Sequence, residues 1–414
     1  MPKPATLRDL VGVVRRSSLL DRRRFASFLW AVRRSGAAGA APAALLDRMV
    51  ADGLLTRFQA DRLGAGKWKG FSVGGYQLLD KIGAGGMGQV YLAEHPTGGH
   101  KVAIKVLNAS LARNPVARAR FAREARAAAG LAHPNIVPVI DLDVDAAPPF
   151  MVMEFVDGVT LQAAVARHGL MAPGTAAHCG RHVALGLQRA AEAGLVHRDI
   201  KPANLLVDRR GVVKILDLGV VRGEADDELT RSTSRNLVLG TADYLAPEQA
   251  ADSHAVDTRA DIYALGGTLY FLLVGHPPFP DLGTQAKLVK KQTSDAPPVS
   301  RARPDIPPEL AAAVDRMLAR NPGDRFQAPA EAAAALAPHA VPDAHFPHAL
   351  FTQERVGPAE TADLLPDTMA GHGSAVPAIP WVAPPQMSAA AEVRTPVVLV
   401  AGPAVRAWVA DPRD

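Results

Sequence analysis

The chain is 414 residues long and carries 46 Lys or Arg against 41 Asp or Glu, a net charge of +5. Apolar residues make up 48% of it, which excludes disorder throughout, and no triplet or heptad repeat runs along it, which excludes collagen-like and coiled-coil classes. Its one cysteine, Cys179, excludes an internal disulfide framework or a cysteine-rich zinc site and favours a reducing compartment.

Residues 1–70 hold 14 Lys or Arg and five acids, a local +9 that leaves −4 for the remainder. Leu19, Leu20, Phe25, Phe28, Leu29 and Val32, then Leu45, Leu46, Met49, Leu54 and Leu55, recur at helical intervals and predict two or three short helices. We read this basic segment as a docking surface for a partner protein. Nucleic acid and anionic membrane are the less favoured partners, because no aromatic residues are interleaved to stack bases and no helix-turn-helix pattern stands out. The apolar stretch 10–14 is too short for a signal-peptide core of about 7–15 residues. Five glycines between Gly64 and Gly75 predict a linker.

At Tyr76 the apolar period changes to two. Residues 89–93 and 101–106 alternate like half-buried strands, with a glycine-containing turn over 95–100 between them. A helical pattern covers 115–131, and short strands follow near 136–139 and 150–155. Helices are predicted over 172–193, 258–274, 308–319 and 328–336. A small strand-rich part thus precedes a larger helical part, an α+β pattern. Residues 338–414 contain 12 prolines without period, the composition of a poorly ordered tail. Its most apolar run, 396–403, is far below the roughly 20 residues that span a bilayer, and the expected location is the cytoplasm.

Three stretches point to chemistry. Gly83-Ala-Gly-Gly-Met-Gly88 is followed by an alternating strand rather than a helix, so the glycines sit in a hairpin turn. Without side chains, such a turn lets backbone N–H groups approach phosphate oxygens. In Val102-Ala-Ile-Lys105, strand parity puts Ala103 and Lys105 on one face and Val102 and Ile104 on the other. A lysine among residues destined for burial needs an anion, and Glu124, in the predicted helix 115–131, is the candidate. In His197-Arg-Asp-Ile-Lys-Pro-Ala-Asn204, Asp199 can orient a hydroxyl and accept its proton. Lys201 can offset charge on a transferring phosphoryl group. Asn204 offers an oxygen to Mg²⁺, and Asp217, just after a predicted strand over 212–216, offers a second.

Together with Gly240-Thr-Ala-Asp-Tyr-Leu-Ala-Pro-Glu248, Asp261 and Asn321-Pro-Gly-Asp-Arg325, these stretches resemble the bacterial Hanks-type serine/threonine protein kinases, in that family's order and spacing over residues 76–337. The resemblance implies a bilobal protein kinase fold: a small antiparallel-sheet lobe with one helix, then a larger helical lobe. The basic helical segment 1–70 would precede it and the tail 338–414 would follow. It implies ATP and Mg²⁺, or Mn²⁺, as cofactors and proteins with Ser or Thr as substrates. Ile82, Gly83, Ala84, Gly85, Gly86, Met87, Gly88, Gln89 and Val90 would cover the nucleotide, with Ala103 against the adenine. Met153 would be the gatekeeper, and Glu154 to Val156 the hinge. Lys105 would hold the α- and β-phosphates and pair with Glu124. Asp199 would be the base, Lys201 the γ-phosphate contact, and Asn204 and Asp217 the metal ligands. Glu248 and Arg325 would form a buried ion pair, and Asp261 would brace the catalytic loop.

Lys201 and Thr241 fit the serine/threonine class. Arg198, directly before Asp199, marks the type whose activation loop is switched by phosphorylation, and Thr230, Ser232, Thr233 and Ser234 are the candidate sites. Asp217-Leu-Gly219 has Leu where the family commonly has Phe, a replacement that keeps apolar packing, so activity is expected to survive it. Leu54-Leu-Thr-Arg-Phe-Gln59 resembles a short segment ahead of some bacterial kinase domains. The rival readings are a nucleotide-binding scaffold without activity and a small-molecule kinase of the aminoglycoside phosphotransferase type. The first is disfavoured by the presence of Lys105, Asp199, Asn204 and Asp217, the second by Ala246-Pro-Glu248.

Overall fold

The computed structural model describes residues 3–35, 40–216, 241–251, 256–280, 282–341, 346 and 348–351. Four helices come first: α1 (Leu7–Ser17), α2 (Arg22–Arg34), α3 (Pro42–Ala51) and α4 (Arg57–Gly64). The sequence reading expects two or three and leaves out α1. Its start is nevertheless written locally, because Thr6 and Asp9 form a reciprocal capping box of the kind that satisfies two otherwise unpaired N–H groups. Thr56 and Gln59 do the same for α4. Leu10, Val13, Phe25, Phe28, Leu45 and Met49 close a separate apolar core beneath these helices.

The expected linker over 64–75 is built into the structure. Phe71 belongs to the helical core, and β1 (Ser72–Val73) pairs with β2 (Tyr76–Ala84). Gly74 and Gly75 turn the chain with φ of +55° and +85°, a region glycine enters without strain. A Cβ on Gly74 would also collide with the Phe150 ring at 2.2 Å. The helices are fastened to the sheet through α4. Gln59 Nε2 donates to the Leu78 carbonyl at 2.9 Å, the Thr56 hydroxyl donates to that of Leu79, and the Phe58 and Tyr91 rings lie 5.9 Å apart.

The sheet is antiparallel and six-stranded, ordered β1-β2-β3-β4-β6-β5, with β3 (Gly88–Glu94), β4 (Lys101–Leu107), β5 (Val139–Asp143) and β6 (Phe150–Glu154). One face carries Val102, Ile104, Val106, Tyr91 and Val152. The other carries Ala103, Met151 and Met153 against Phe121 and Ala125 of α6 (Pro115–Ala129), which follows the short α5 (Ala109–Ala112). The parity expected for residues 102–106 is therefore the observed one.

The larger part is helical apart from a ribbon of β7 (Gly158–Thr160), β8 (Leu205–Asp208) and β9 (Val213–Ile215). Its helices are α7 (Leu161–His168), α8 (Pro173–Glu192), α9 (Pro247–Ala251), α10 (Thr258–Val274), α11 (Thr284–Thr293), α12 (Val299–Ala302), α13 (Pro308–Met317) and α14 (Pro329–Leu336). Helix α10 is buried along almost its whole length, as a helix apolar all round must be. Cys179 is fully buried on α8, and burial pushes its thiol up to about 12.

The segment assigned to a tail from 338 onward differs at its start. Leu350 and Phe351 are 2% and 6% exposed and join the core of the larger lobe. Arg167 donates to the Leu350 carbonyl at 3.3 Å, and the Arg209 guanidinium lies 5.4 Å from the Phe351 ring. Two large apolar side chains outweigh the proline-rich composition around them, because full burial of each contributes about 1.5–3 kcal/mol. Among the described residues no helix is long and apolar enough to cross a membrane.

Candidate active site

The glycine run forms the β2–β3 turn. Gly85 and Gly88 exchange backbone hydrogen bonds at 2.8 and 3.3 Å across it. The glycines serve different needs. A Cβ on Gly88 would stand 2.1 Å from the Val106 carbonyl oxygen on β4, whereas Gly85 and Gly86 face open space with no atom within 4 Å. Gly88 is thus demanded by strand packing, while Gly85 and Gly86 leave room above the turn. Gly88→Ala is expected to lose about 1–3 kcal/mol of stability, the usual cost of overpacking, while Gly86→Ala keeps the parental melting temperature. Thermal melts of the two variants check this, and equal melting temperatures would refute the distinction.

Lys105 sits in the middle of β4, opposite Val90 of β3 and Met151 of β6. Its Nζ lies 2.9 Å from Glu124 Oε1 on α6, and both side chains are about nine-tenths buried. The partner expected for the buried lysine is the one found. Met153 pairs with Ala103 across β4–β6 and is 7% exposed. Glu154, next along, sends its carboxylate away to Lys214 Nζ at 2.7 Å and its N–H to the Pro138 carbonyl at 3.2 Å. Val90, Ala103, Met153 and Val156 share one apolar cluster with Leu206 and Leu216. That cluster joins the underside of the sheet to the strand after the Asp199 loop. The sequence reading does not single out Leu206. Alternation in β8, where Leu205 and Val207 are wholly buried and Leu206 faces the other way, is the signal that finds it.

The loop at 197–204 is held at several points. Arg198 has φ +64°, a left-handed conformation that costs a non-glycine residue of order 1–3 kcal/mol. Asp261 compensates. Its two oxygens accept from the backbone N–H of His197 and of Arg198, both at 2.7 Å. Burial pushes the Asp261 carboxyl above the usual range, and the adjoining His197 and Arg198 groups act against that. His197 is fully buried and donates through Nε2 to the Leu216 carbonyl at 3.0 Å, while Nδ1 accepts from the Asp199 N–H at 3.2 Å. A carbonyl opposite Nε2 requires a hydrogen there.

The Asp199 carboxylate is oriented by two donors. Lys201 Nζ lies 3.1 and 2.9 Å from its oxygens, and Asn204 Nδ2 donates to Oδ2 at 2.9 Å and to the Asp199 carbonyl at 2.8 Å. Asn204 therefore turns its nitrogen to the aspartate, which leaves its amide oxygen for a cation, a ligand type that suits Mg²⁺. Asp217 lies outside the described residues, as do Thr230, Ser232, Thr233 and Ser234. Leu216, immediately before, donates its N–H to the Asn204 carbonyl at 2.8 Å. Among the described residues, Arg198 Nη1 is buried without a hydrogen-bond partner.

Arg325 is fully buried and bidentate with Glu248, at 2.6 and 2.8 Å. Its remaining donors reach the carbonyls of Ala319, Arg259 and Arg320. Gln249, next to Glu248, accepts from the Ala246 N–H at 3.0 Å and donates to the Arg198 carbonyl at 3.3 Å. The sequence reading does not assign Gln249.

A buried paired cation and an oriented carboxylate suit the transfer of a charged group between two substrates. Residues 76–336 match the family model of the protein kinase domain, well over half of the chain, and the chain belongs to the protein kinase family. The family uses ATP and a divalent metal, and acts on proteins. The chain is 42% identical over 262 residues to the serine/threonine-protein kinase PknB of Mycolicibacterium smegmatis, covering 62% of this chain and 41% of that one. It is 41% identical over 261 residues to the serine/threonine-protein kinase Pkn1 of Myxococcus xanthus, covering 62% and 37%. The chain thus spans about two fifths of the length of the curated relatives it matches. Among solved structures, the PknI kinase domain of Mycobacterium tuberculosis superposes with a TM-score of 0.51 at 30% identity, over 65% of this chain and 98% of that one.

Proposed function

We propose that this chain transfers the γ-phosphate of ATP to serine and threonine hydroxyls of proteins, its own activation segment among them. The observation that carries the reading is the Asp199 carboxylate, fixed by Lys201 and Asn204 on a loop that Asp261 braces. In this reading Asp199 orients the acceptor hydroxyl and takes its proton as the oxygen–phosphorus bond forms. Lys201, beside it, offsets charge on the phosphoryl group in flight. Lys105, held in place by Glu124, anchors the α- and β-phosphates, and the bare backbone of Gly85 and Gly86 covers them. The apolar cluster around Ala103, Met153 and Leu206 takes the adenine and excludes water. Asn204 and Asp217 would hold a divalent cation such as magnesium, which would supply charge neutralisation for the phosphates.

The formed Lys105–Glu124 pair argues against an inert scaffold. The ion pair between Glu248 and Arg325, with the serine- and threonine-bearing loop before it, argues against a small-molecule kinase. Arg198, with a buried guanidinium nitrogen left over, offers a partner for a phosphate of charge about −1.5 to −2. Purified protein incubated with radiolabelled Mg-ATP is expected to label casein or myelin basic protein. Peptide mapping should then find phosphate on at least one of Thr230, Ser232, Thr233 and Ser234. Label on neither protein would end the kinase reading; a casein signal with no phosphate between residues 225 and 241 would end self-phosphorylation alone.

A further inference from the structure

Lys291 is a buried charge that the reaction just described leaves unused. It lies near the end of α11 and is 2% exposed. All three hydrogens of its ammonium are satisfied by backbone carbonyls of one short turn: Ala242 at 2.9 Å, Asp243 at 2.7 Å and Leu245 at 2.8 Å. Three donors meeting three acceptors saturate the group. Lys287, one helical turn earlier on the same face, pairs with the Asp243 carboxylate, and those two side chains are also mostly buried, at 15% and 17% exposure. The Tyr263 ring on α10 lies 5.4 Å from Lys291 Nζ and closes the other side. Burial pulls the Lys291 ammonium down to about 7, with Asp243 pulling it up and Lys287 pushing it down. A charge held at such a cost against bare carbonyls is unusual for lysine, which ordinarily keeps its ammonium in water.

The turn that Lys291 grips is coupled to the base. Ala246, at its end, donates to Gln249, and Gln249 donates to the carbonyl of Arg198, the residue before Asp199. A peptide presenting a hydroxyl to Asp199 must therefore pass beside main chain whose position is set by this turn. We propose that Lys291, seconded by Lys287, is the positioning residue for protein substrate: it clamps the turn 242–246 from α11 so that an acceptor peptide meets a preformed surface beside Asp199. The inference rests on the kinase reading above and adds to it a device for the acceptor side alone, with the nucleotide side left untouched.

The test uses the full chain with Lys291→Met, which keeps length and loses all three donors, and Lys287→Met, which removes only the Asp243 pair at a more accessible site. Two readouts are taken, steady-state kinetics with a serine- or threonine-bearing peptide and amide hydrogen exchange. Lys291→Met is expected to raise KM for peptide at least tenfold with KM for ATP within twofold. Exchange in 242–249 should accelerate at least tenfold, with β3, β4 and α6 unchanged. Lys287→Met should show the same pattern at about threefold. Unchanged peptide KM in both variants, or equal losses on the ATP and peptide sides, would overturn the proposal. Should Lys291→Met not fold, Lys287→Met decides by the same criteria. If the parent protein phosphorylates no peptide at all, the kinase reading fails by itself, and exchange in 242–249 still decides whether Lys291 holds the turn.

Discussion

Replacing Asp199 with Asn is expected to lower the rate of phosphoryl transfer by about 10²–10⁴-fold, the range that loss of a positioned general base produces, while nucleotide affinity stays within about twofold. The asymmetry follows from where the carboxylate sits. Its bonds are to Lys201 and Asn204, and the apolar cluster of Val90, Ala103 and Met153 lies elsewhere, under the sheet. Asn is nearly the same size and retains one acceptor oxygen, so the loop held by Asp261 has no reason to move. Its amide nitrogen can neither take a proton from a hydroxyl nor accept a hydrogen bond from Lys201 or Asn204. Single-turnover transfer to casein, set beside nucleotide titration of the same preparation, checks both halves. Transfer at the parental rate would remove Asp199 from its proposed role.

Arg325→Ala is expected to be the most destabilising single change in the larger lobe. Removing one partner of a buried pair costs about 3–5 kcal/mol, because the other charge is left desolvated. Here the loss extends beyond Glu248, since three carbonyls also lose a donor. For a lobe of this size the melting temperature should fall by roughly 10 °C. Arg325→Lys should recover little, because an ammonium cannot reproduce a planar fork that meets a carboxylate and several carbonyls together. Glu248→Gln, which removes charge but keeps an acceptor, should lose less than Arg325→Ala. A fall below about 3 °C for Arg325→Ala would show the pair to be dispensable for stability.

Much of this arrangement is legible from the chain alone because its cues are local or strongly typed. Strand parity in 101–106 separates Lys105 from its apolar neighbours, and only an acid on a facing helix can accompany such a lysine into the interior. The helix from 258 to 274 is written by a long apolar stretch from Ile262 to Val274, interrupted only at Gly266, Gly267 and Thr268, with Asp257 as its cap. Other features depend on tertiary context. Lys287, Lys290 and Lys291 look alike in sequence, and only the approach of the 242–246 turn drives Lys291 inside and leaves the others less enclosed. Leu350 and Phe351 stand among prolines and polar residues, so their burial is decided by the surface left open on α7 and the β7–β8 ribbon. The capping boxes at Thr6 and Thr56 were readable by spacing. The sheet contact made by Thr56 and Gln59 was not, because each side chain serves its own helix and β2 at once.

The brace on the Asp199 loop has a consequence for how the protein is made. The carboxylate of Asp261 is 64 residues downstream of the His197 amide it holds, and the Glu248–Arg325 pair closes an overlapping span of 77 residues. At translation speeds of about 5–20 residues per second, a growing chain carries the His197–Asp199 loop for roughly 3–13 s before the brace has been polymerised. Through that interval the carboxylate that accepts from the N–H groups of His197 and Arg198 does not yet exist, so the left-handed turn at Arg198 waits on a residue made 63 positions later.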